Sequence, residues 1–272
     1  LGSATDYYLS ERFAPPSSET ARVNILGVGV SAVNMEMALR QTESLLDRGG
    51  QGYVCVTGVH GIMEAQSDEA FREILNRSFL TTPDGMPTVW LGRIHGFRRM
   101  NRVYGPDYML GLCERSVAQG YKHFLYGGKP GVAEELRAAL IRRFPGLQIV
   151  GTYTPPFRPL NPEEEADLRS QLEASGADVL WCGLSTPKQE RFMATYCHRM
   201  PVKLMVGVGA AFDLLSGNLS EAPDWMKRAG LQWLYRLIKE PRRLWRRYLL
   251  NNPKFAWLVL LQLTGLRGFQ VS

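Results

Sequence analysis

From residue 22 onward the hydrophobic pattern switches repeatedly between continuous apolar runs and a spacing of three or four. A run of roughly 4–8 apolar residues bounded by turn residues fits a strand buried on both faces, and the wider spacing fits one face of a helix. The strand-type runs are RVNILGVGV (22–30), YVCVTGV (53–59), FLTTPD (79–84), YKHFLYGG (121–128), LQIVGTY (147–153), ADVLWCGLS (177–185) and VKLMVGVG (202–209). Helix-type segments lie between them. One runs from a cap at Ser31 to about Arg48; others cover 62–78, 130–144, 161–176 and 187–199, and another begins at Met86. Pro130 suits a first helical turn, and Asn161 followed by Pro162 reads as an N-cap and first helical position.

This alternation predicts an α/β fold, a Rossmann-like and mainly parallel sheet with helices on both faces. In such sheets ligands sit beyond the C-terminal ends of the strands. The pattern also divides the chain. Residues 1–20 are polar, contain Pro-Pro-Ser-Ser and read as a flexible arm; 21–220 form the core; 221–272 form a basic amphipathic helical appendage.

Charge changes the picture only at the C-terminus. From Glu221 onward there are ten basic residues against three acidic ones, a surplus of seven, while the whole chain carries a formal +6. The rest of the chain therefore sums to −1, with no electrostatic footprint for nucleic acid. The apolar stretch FAWLVLLQLTGL (255–266) is too short to span a bilayer of about 30 Å. With Trp225, Trp233, Trp245 and Trp257 it suits an anionic membrane interface. Pro241 should open a helix on which Arg242 and Arg246 share one face, and Arg243 and Arg247 another. Cys55, Cys113, Cys182 and Cys197 have neither zinc-ligand nor CxxC spacing and read as reduced structural thiols.

Candidate chemistry collects at the strand ends. Asp84, between Pro83 and Gly85, fits a turn or cap and equally a general base. Thr57 and His60 follow the second strand. Gly127, Gly128 and Lys129 lie between a strand and a helix, where backbone amides can hold phosphate. Gln189 opens a helix and can cap it or read a base edge. No HExxH, DxD, GxSxG, P-loop or GxGxxG fingerprint is present, so neither a metal nor a bound cofactor is expected.

Taken in order, TTPDGMPTVW, RVYGPDYM, FLYGGKPG, GLSTPKQE, GVGAAFDLLSG and APDWMKRAGLQWLYRLIKEPRRLWRRYL closely resemble the WecG/TagA/CpsF glycosyltransferases over about Arg22 to Pro253. The resemblance implies metal-independent, inverting transfer from a UDP-sugar to a polyprenyl-diphosphate-linked sugar, peripherally at the cytoplasmic face of the membrane, in cell-surface polysaccharide synthesis. It puts the catalytic aspartate at Asp84 and the strand-end threonine at Thr57. Arg102 and Gln189 fall on the family's arginine and glutamine. Arg236, Arg243 and Arg246 are the matches for acceptor-diphosphate arginines on an appendage that closes over the site. Many members carry Asn two residues after the threonine, where this chain has Val59; either His60 supplies the polar contact or the donor sugar differs. Two other readings stay open at this point: a nicotinamide-dependent oxidoreductase, and a non-catalytic nucleotide-sugar or membrane-binding module. The donor and acceptor sugars are not specified, and a homo-oligomer is among the alternatives for assembly.

Overall fold

The computed structural model describes residues 20–271, so the predicted arm at 1–20 lies, Thr20 apart, outside the described residues. The elements run β1 (Arg22–Ile25), β2 (Val28–Ser31), α1 (Met35–Asp47), β3 (Gly52–Thr57), α2 (Val59–Glu64), α3 (Glu69–Arg77), β4 (Leu80–Pro83), α4 (Met86–Ile94), α5 (Gly105–Gln119) and β5 (Lys122–Gly127). They continue with α6 (Val132–Arg143), β6 (Gln148–Tyr153), α7 (Pro162–Ser175), β7 (Val179–Gly183), α8 (Lys188–Tyr196), β8 (Leu204–Gly207), α9 (Ala211–Leu215), α10 (Asp224–Arg228), α11 (Gln232–Lys239) and α12 (Pro241–Leu263).

Six strands form one parallel sheet in the order β4-β3-β8-β7-β5-β6. Successive side chains of a strand point to opposite faces. Leu180 and Cys182 of β7 therefore join one core cluster, and Val179 and Trp181 join the other. Helices cover both clusters, which is why the strands read as unbroken apolar runs. All strands end on the same edge, which brings Thr57, Asp84, Gly127, Gly183 and Gly207 together from distant parts of the chain.

Three predicted elements differ. The run 22–30 is an antiparallel hairpin, β1 paired with β2, turning at Leu26 (φ 52°) and Gly27 (φ 82°). A leucine disfavours that left-handed region. Here the Leu26 amide donates to Gln262 Oε1 and its carbonyl accepts from Gln66 Nε2, so tertiary contacts hold the turn. The helix predicted from Ser31 starts at Met35 instead. Asn34 caps it by accepting from the Met37 amide, while the Ser31 hydroxyl accepts from the Thr81 amide. The segment 62–78 is two helices, because Asp68 accepts from the Phe71 amide and starts α3 afresh. The caps at α7 are as predicted, with Asn161 and Glu164 forming a reciprocal capping box.

The appendage lies on the core. Leu244, Phe255 and Leu258 of α12 are buried, and Phe255 and Leu258 belong to the same cluster as Ile62 and Met63 of α2. Gln262, near the helix end, donates to the Asn24 carbonyl and accepts from the Leu26 amide, while the Asn24 side chain donates to the Phe269 carbonyl. The C-terminal segment is thus tied to the β1–β2 hairpin.

Candidate active site

A cavity of about 1170 Å³ lies between the strand ends and helices α11 and α12. Pockets for a single small ligand run to roughly 300–1,000 Å³, and this cavity lies just above that range. Its walls include Thr57, His60, Asp84, Gly128, Lys129, Gln189, Asp213, Arg236 and Arg243.

Asp84 follows β4 directly. Its amide donates to the Thr57 carbonyl at 3.1 Å, which registers it against the end of β3. The side chain keeps 35% of its surface, yet it lies deep enough for burial to dominate its ionisation. Burial raises its pKa above the usual aspartate value, opposed first by Arg102 and then by Arg236 and Arg247. Oδ1 has no hydrogen-bond partner. A carboxylate so placed has a raised proton affinity, which suits a general base.

Arg102 is a bracket rather than part of the cavity wall. Its Nε donates to the Asp84 carbonyl at 2.5 Å, its Nη2 sits 3.9 Å from Oδ1, and it stacks on the Tyr104 ring at 4.1 Å. It also donates to Gln232 Oε1, and Gln232 Nε2 donates to the Tyr104 hydroxyl at 2.8 Å. One residue at the start of α11 is thereby coupled to the loop that holds Asp84. Neither Tyr104 nor Gln232 was singled out by the sequence pattern.

His60 lines the cavity from the first turn of α2. Desolvation, then the Arg247 charge, push its pKa down to about 3, against a hydrogen bond to the Thr186 backbone. The imidazole is neutral at working pH, so it offers a hydrogen bond and not a charge. Thr57 is buried, its hydroxyl weakly donating to the Cys55 carbonyl at 3.4 Å. Gln189 is almost fully buried; its Nε2 donates to Glu190 Oε1 at 3.0 Å, and its Oε1 has no partner.

The glycines divide. Gly128 lines the cavity, but its amide already donates to the Gly183 carbonyl at 3.1 Å. Gly127 does not line it. With φ of 129°, a Cβ there would stand 2.7 Å from the Gly183 backbone, so the glycine serves close approach of β5 and β7. The Gly128 amide is therefore not free to hold a phosphate, and Lys129 is the polar side chain that this turn presents to the cavity.

The appendage arginines also divide. Arg236 and Arg243 line the cavity and share one carboxylate, that of Glu240, at 4.0 and 2.5 Å. Arg246 is not on the wall. It is exposed, with its guanidinium 5.2 Å from the Trp245 ring centroid. Arg247 is on the wall instead. Trp233, expected at an interface, is half-buried, tilted against Tyr248 and part of the cavity, whereas Trp225, Trp245 and Trp257 are exposed. Among the described residues no group of three or more His, Cys, Asp or Glu side chains is placed to hold a metal ion. Nor is any helix among them long and apolar enough to cross a membrane.

Residues 23–268 match the sequence profile described as "Glycosyl transferase WecG/TagA/CpsF family". A protein of Bacillus subtilis (strain 168), named N-acetylglucosaminyldiphosphoundecaprenol N-acetyl-beta-D-mannosaminyltransferase, is 32% identical over 196 residues, covering 72% of this chain and 74% of its own. A protein of the same name from Bacillus spizizenii is 29% identical over 215 residues, covering 79% and 81%.

Proposed function

Because this chain belongs to the WecG/TagA/CpsF family and is a glycosyltransferase, we propose that it moves a sugar from a UDP donor to a sugar on a polyprenyl diphosphate, with inversion and without a metal. The observation that carries the reading is Asp84: a strand-end carboxylate of raised proton affinity, bracketed by Arg102, in the strand-end cavity. The oxidoreductase and non-catalytic alternatives fall with the family assignment. The two relatives' names supply the acceptor class, a sugar on a diphosphoundecaprenol, and point to N-acetylmannosamine as the first donor sugar to test.

In the proposed reaction Asp84 takes the proton of the acceptor hydroxyl as its oxygen attacks the anomeric carbon. The new C–O bond forms on the face opposite the diphosphate, and the bond to the donor phosphate breaks, releasing UDP. Thr57, neutral His60 and Gln189 line the donor side, with Lys129 at the rim. Arg236 and Arg243 face the acceptor's diphosphate, and with Lys129 they also offset the growing charge on the leaving diphosphate. Trp225, Trp245, Leu249, Leu250, Trp257 and Leu260 are exposed along the basic appendage. That combination favours peripheral docking on an anionic, cytoplasmic leaflet, where the acceptor's lipid chain stays in the bilayer.

The test is turnover of a panel of UDP-sugars with a synthetic polyprenyl-diphosphate N-acetylglucosamine. Transfer is expected to persist in excess EDTA; loss of activity that manganese or magnesium restores overturns the metal-free mechanism. The pH profile gives an independent check. Asp84 must be ionised to act, so kcat/KM is expected to rise with pH through a midpoint above the ordinary aspartate value of about 4. His60, neutral above about 3, should add no titration near 6.5. An acid limb near 6.5 that disappears in His60→Ala would transfer the base role to His60.

A further inference from the structure

Helix α8 packs on the sheet through Gln189, Glu190, Phe192 and Met193, its buried residues. At the helical spacing of three and four, positions 189 and 190 stand over 192 and 193 on the core-facing side. Apolar side chains suit that face, yet Gln189 and Glu190 are polar and only 3% and 1% exposed. Polar groups out of water need hydrogen-bond partners. Glu190 Oε1 accepts from Gln189 Nε2 at 3.0 Å and from the Thr186 hydroxyl at 2.9 Å. Among the described residues, Gln189 Oε1 and Glu190 Oε2 have no hydrogen-bond partner. Both residues line the strand-end cavity.

This network fixes which end of the Gln189 amide is left free. A carboxyl oxygen that accepts can take only the NH2 end of an amide. The outcome is the same in both ionisation states of Glu190. Burial raises its pKa, and in the acid form the proton belongs on Oε2, because Oε1 already accepts twice. The amide is confined sideways as well. A Cβ on Gly207 would stand 3.0 Å from Gln189 Nε2, and one on Gly209 would stand 3.4 Å from Oε1. Glycines at the end of β8 thus leave the room that the amide occupies, and both line the cavity. What Gln189 offers is therefore an acceptor, and what it can receive is an O–H or an N–H.

We propose that Glu190 is a positioning residue for the transfer reaction. It holds the Gln189 amide by Nε2, so that Oε1 accepts a hydrogen bond from a hydroxyl or N–H of the bound UDP-sugar. A ligand donor placed there satisfies an acceptor that the fold leaves unpaired. Glu190 acts through Gln189 and does not itself touch the ligand. The inference rests on the glycosyltransferase reading above, but its binding test does not require turnover.

The experiment compares wild type, Gln189→Leu, Glu190→Met, Glu190→Gln and the double variant Gln189→Leu/Glu190→Met. Binding of UDP and of UDP-N-acetylmannosamine is measured by calorimetry. Glu190→Met removes the acceptor and frees the amide to turn. Its affinity is expected to fall by roughly 10- to 100-fold, the range for a buried polar group left unpaired. Gln189→Leu should lose as much, and the double variant no more than Gln189→Leu alone, because the carboxyl works through that amide. Glu190→Gln keeps a carbonyl oxygen for Nε2 and the Thr186 hydroxyl, so it should restore affinity to within about threefold of wild type. A Glu190 that served folding alone would lower the melting temperature and leave affinity unchanged. Equal losses for both ligands place the donated hydrogen on the nucleotide; a loss confined to UDP-N-acetylmannosamine places it on the sugar. Should Glu190→Met fail to fold, Glu190→Asp carries the test, since it keeps the charge and withdraws the acceptor by one methylene; wild-type affinity in that variant overturns the proposal. So do wild-type affinity in a folded Glu190→Met, unchanged affinity for both ligands in Gln189→Leu, losses that add in the double variant, a Glu190→Gln as weak as Glu190→Met, or a wild-type protein that binds neither ligand. If the variants follow the expected order and no UDP-sugar is turned over, the proposed function fails and the positioning role stands. If wild type transfers sugar and Glu190→Met binds as wild type does, the proposed function stands and the positioning role fails.

Discussion

Asp84→Asn is expected to lower transfer by roughly 10²–10⁴-fold, the usual range for loss of a general base, while UDP still binds. The substitution is nearly isosteric. The amide and carbonyl of residue 84, which bond to the Thr57 carbonyl and to Arg102 Nε, do not change. The side-chain amide no longer accepts a proton, and its burial no longer shifts an ionisation. The loss should appear in kcat with the acceptor saturating, and in the disappearance of the acid limb from the pH profile. Stability should hold or rise slightly. In the native protein the Asp84 pKa is raised, so folding is favoured by its protonated form and opposed once the pH passes that value. A neutral amide removes that opposition at neutral pH. Turnover near wild type would exclude Asp84 as the base. A loss of UDP binding equal to the loss of rate would instead make it a structural or donor-binding residue.

The sheet was legible because its strands are buried on both faces, and the turns between strand and helix carry proline, glycine and asparagine where backbone geometry needs them. The hairpin at 22–31 was not. Its turn puts Leu26 in a left-handed conformation held by Gln66 and Gln262, and only the folded chain brings those residues to it. α5 carries Gly105, Pro106 and Gly111 in its sequence, which blurs the periodicity; Gly111 is where Leu39 packs against the helix, at 2.9 Å from a built Cβ. α12 runs on through Pro253, a residue that usually ends a helix.

At the site, residues fixed by strand ends were readable: Thr57, Asp84 and Gln189 line one cavity as the topology requires. Residues whose role depends on direction were not. Gly127 looks like a phosphate turn but is taken up by the β7 backbone, and Gly128 has already spent its amide there. Arg246 has the right spacing and the wrong azimuth. The pairing of Arg243 with Arg247 was visible in the i, i+4 pattern; what the sequence lacks is the buried line of Leu244, Phe255 and Leu258 that fixes which pair faces in.

Removal of residues 223–272 is expected to abolish liposome association and to cut transfer to the lipid-linked acceptor by on the order of 10³-fold or more. The arguments are separate for binding and for rate. The removed segment holds the chain's net basicity, and anionic lipid attracts each basic residue near the surface by about 1 kcal/mol. It also carries the exposed Trp225, Trp245, Trp257, Leu249 and Leu250, the side chains suited to enter an interface. For rate, the deletion takes away Arg236, Arg243 and Arg247 together; losing one donor to a developing charge costs about 10²–10³-fold. It also removes Gln232, so Arg102 loses one of the contacts that steady the Asp84 loop. The parallel sheet keeps its six strands, but the core does not escape unharmed. Phe255 and Leu258 leave the cluster around Ile62 and Met63, and the Leu26 turn loses Gln262. Burying each such apolar side chain stabilises by roughly 1.5–3 kcal/mol, so the truncated protein should melt earlier while remaining folded. Three parallel measurements decide the matter: flotation with anionic vesicles, transfer to a lipid-linked acceptor, and transfer to a short-chain soluble analogue. If the appendage only tethers, the soluble acceptor is used as well as by the full chain. If it completes the site, both acceptors fail, and vesicles do not rescue the truncation. Flotation and lipid-acceptor turnover equal to those of the full chain would remove the appendage from both roles.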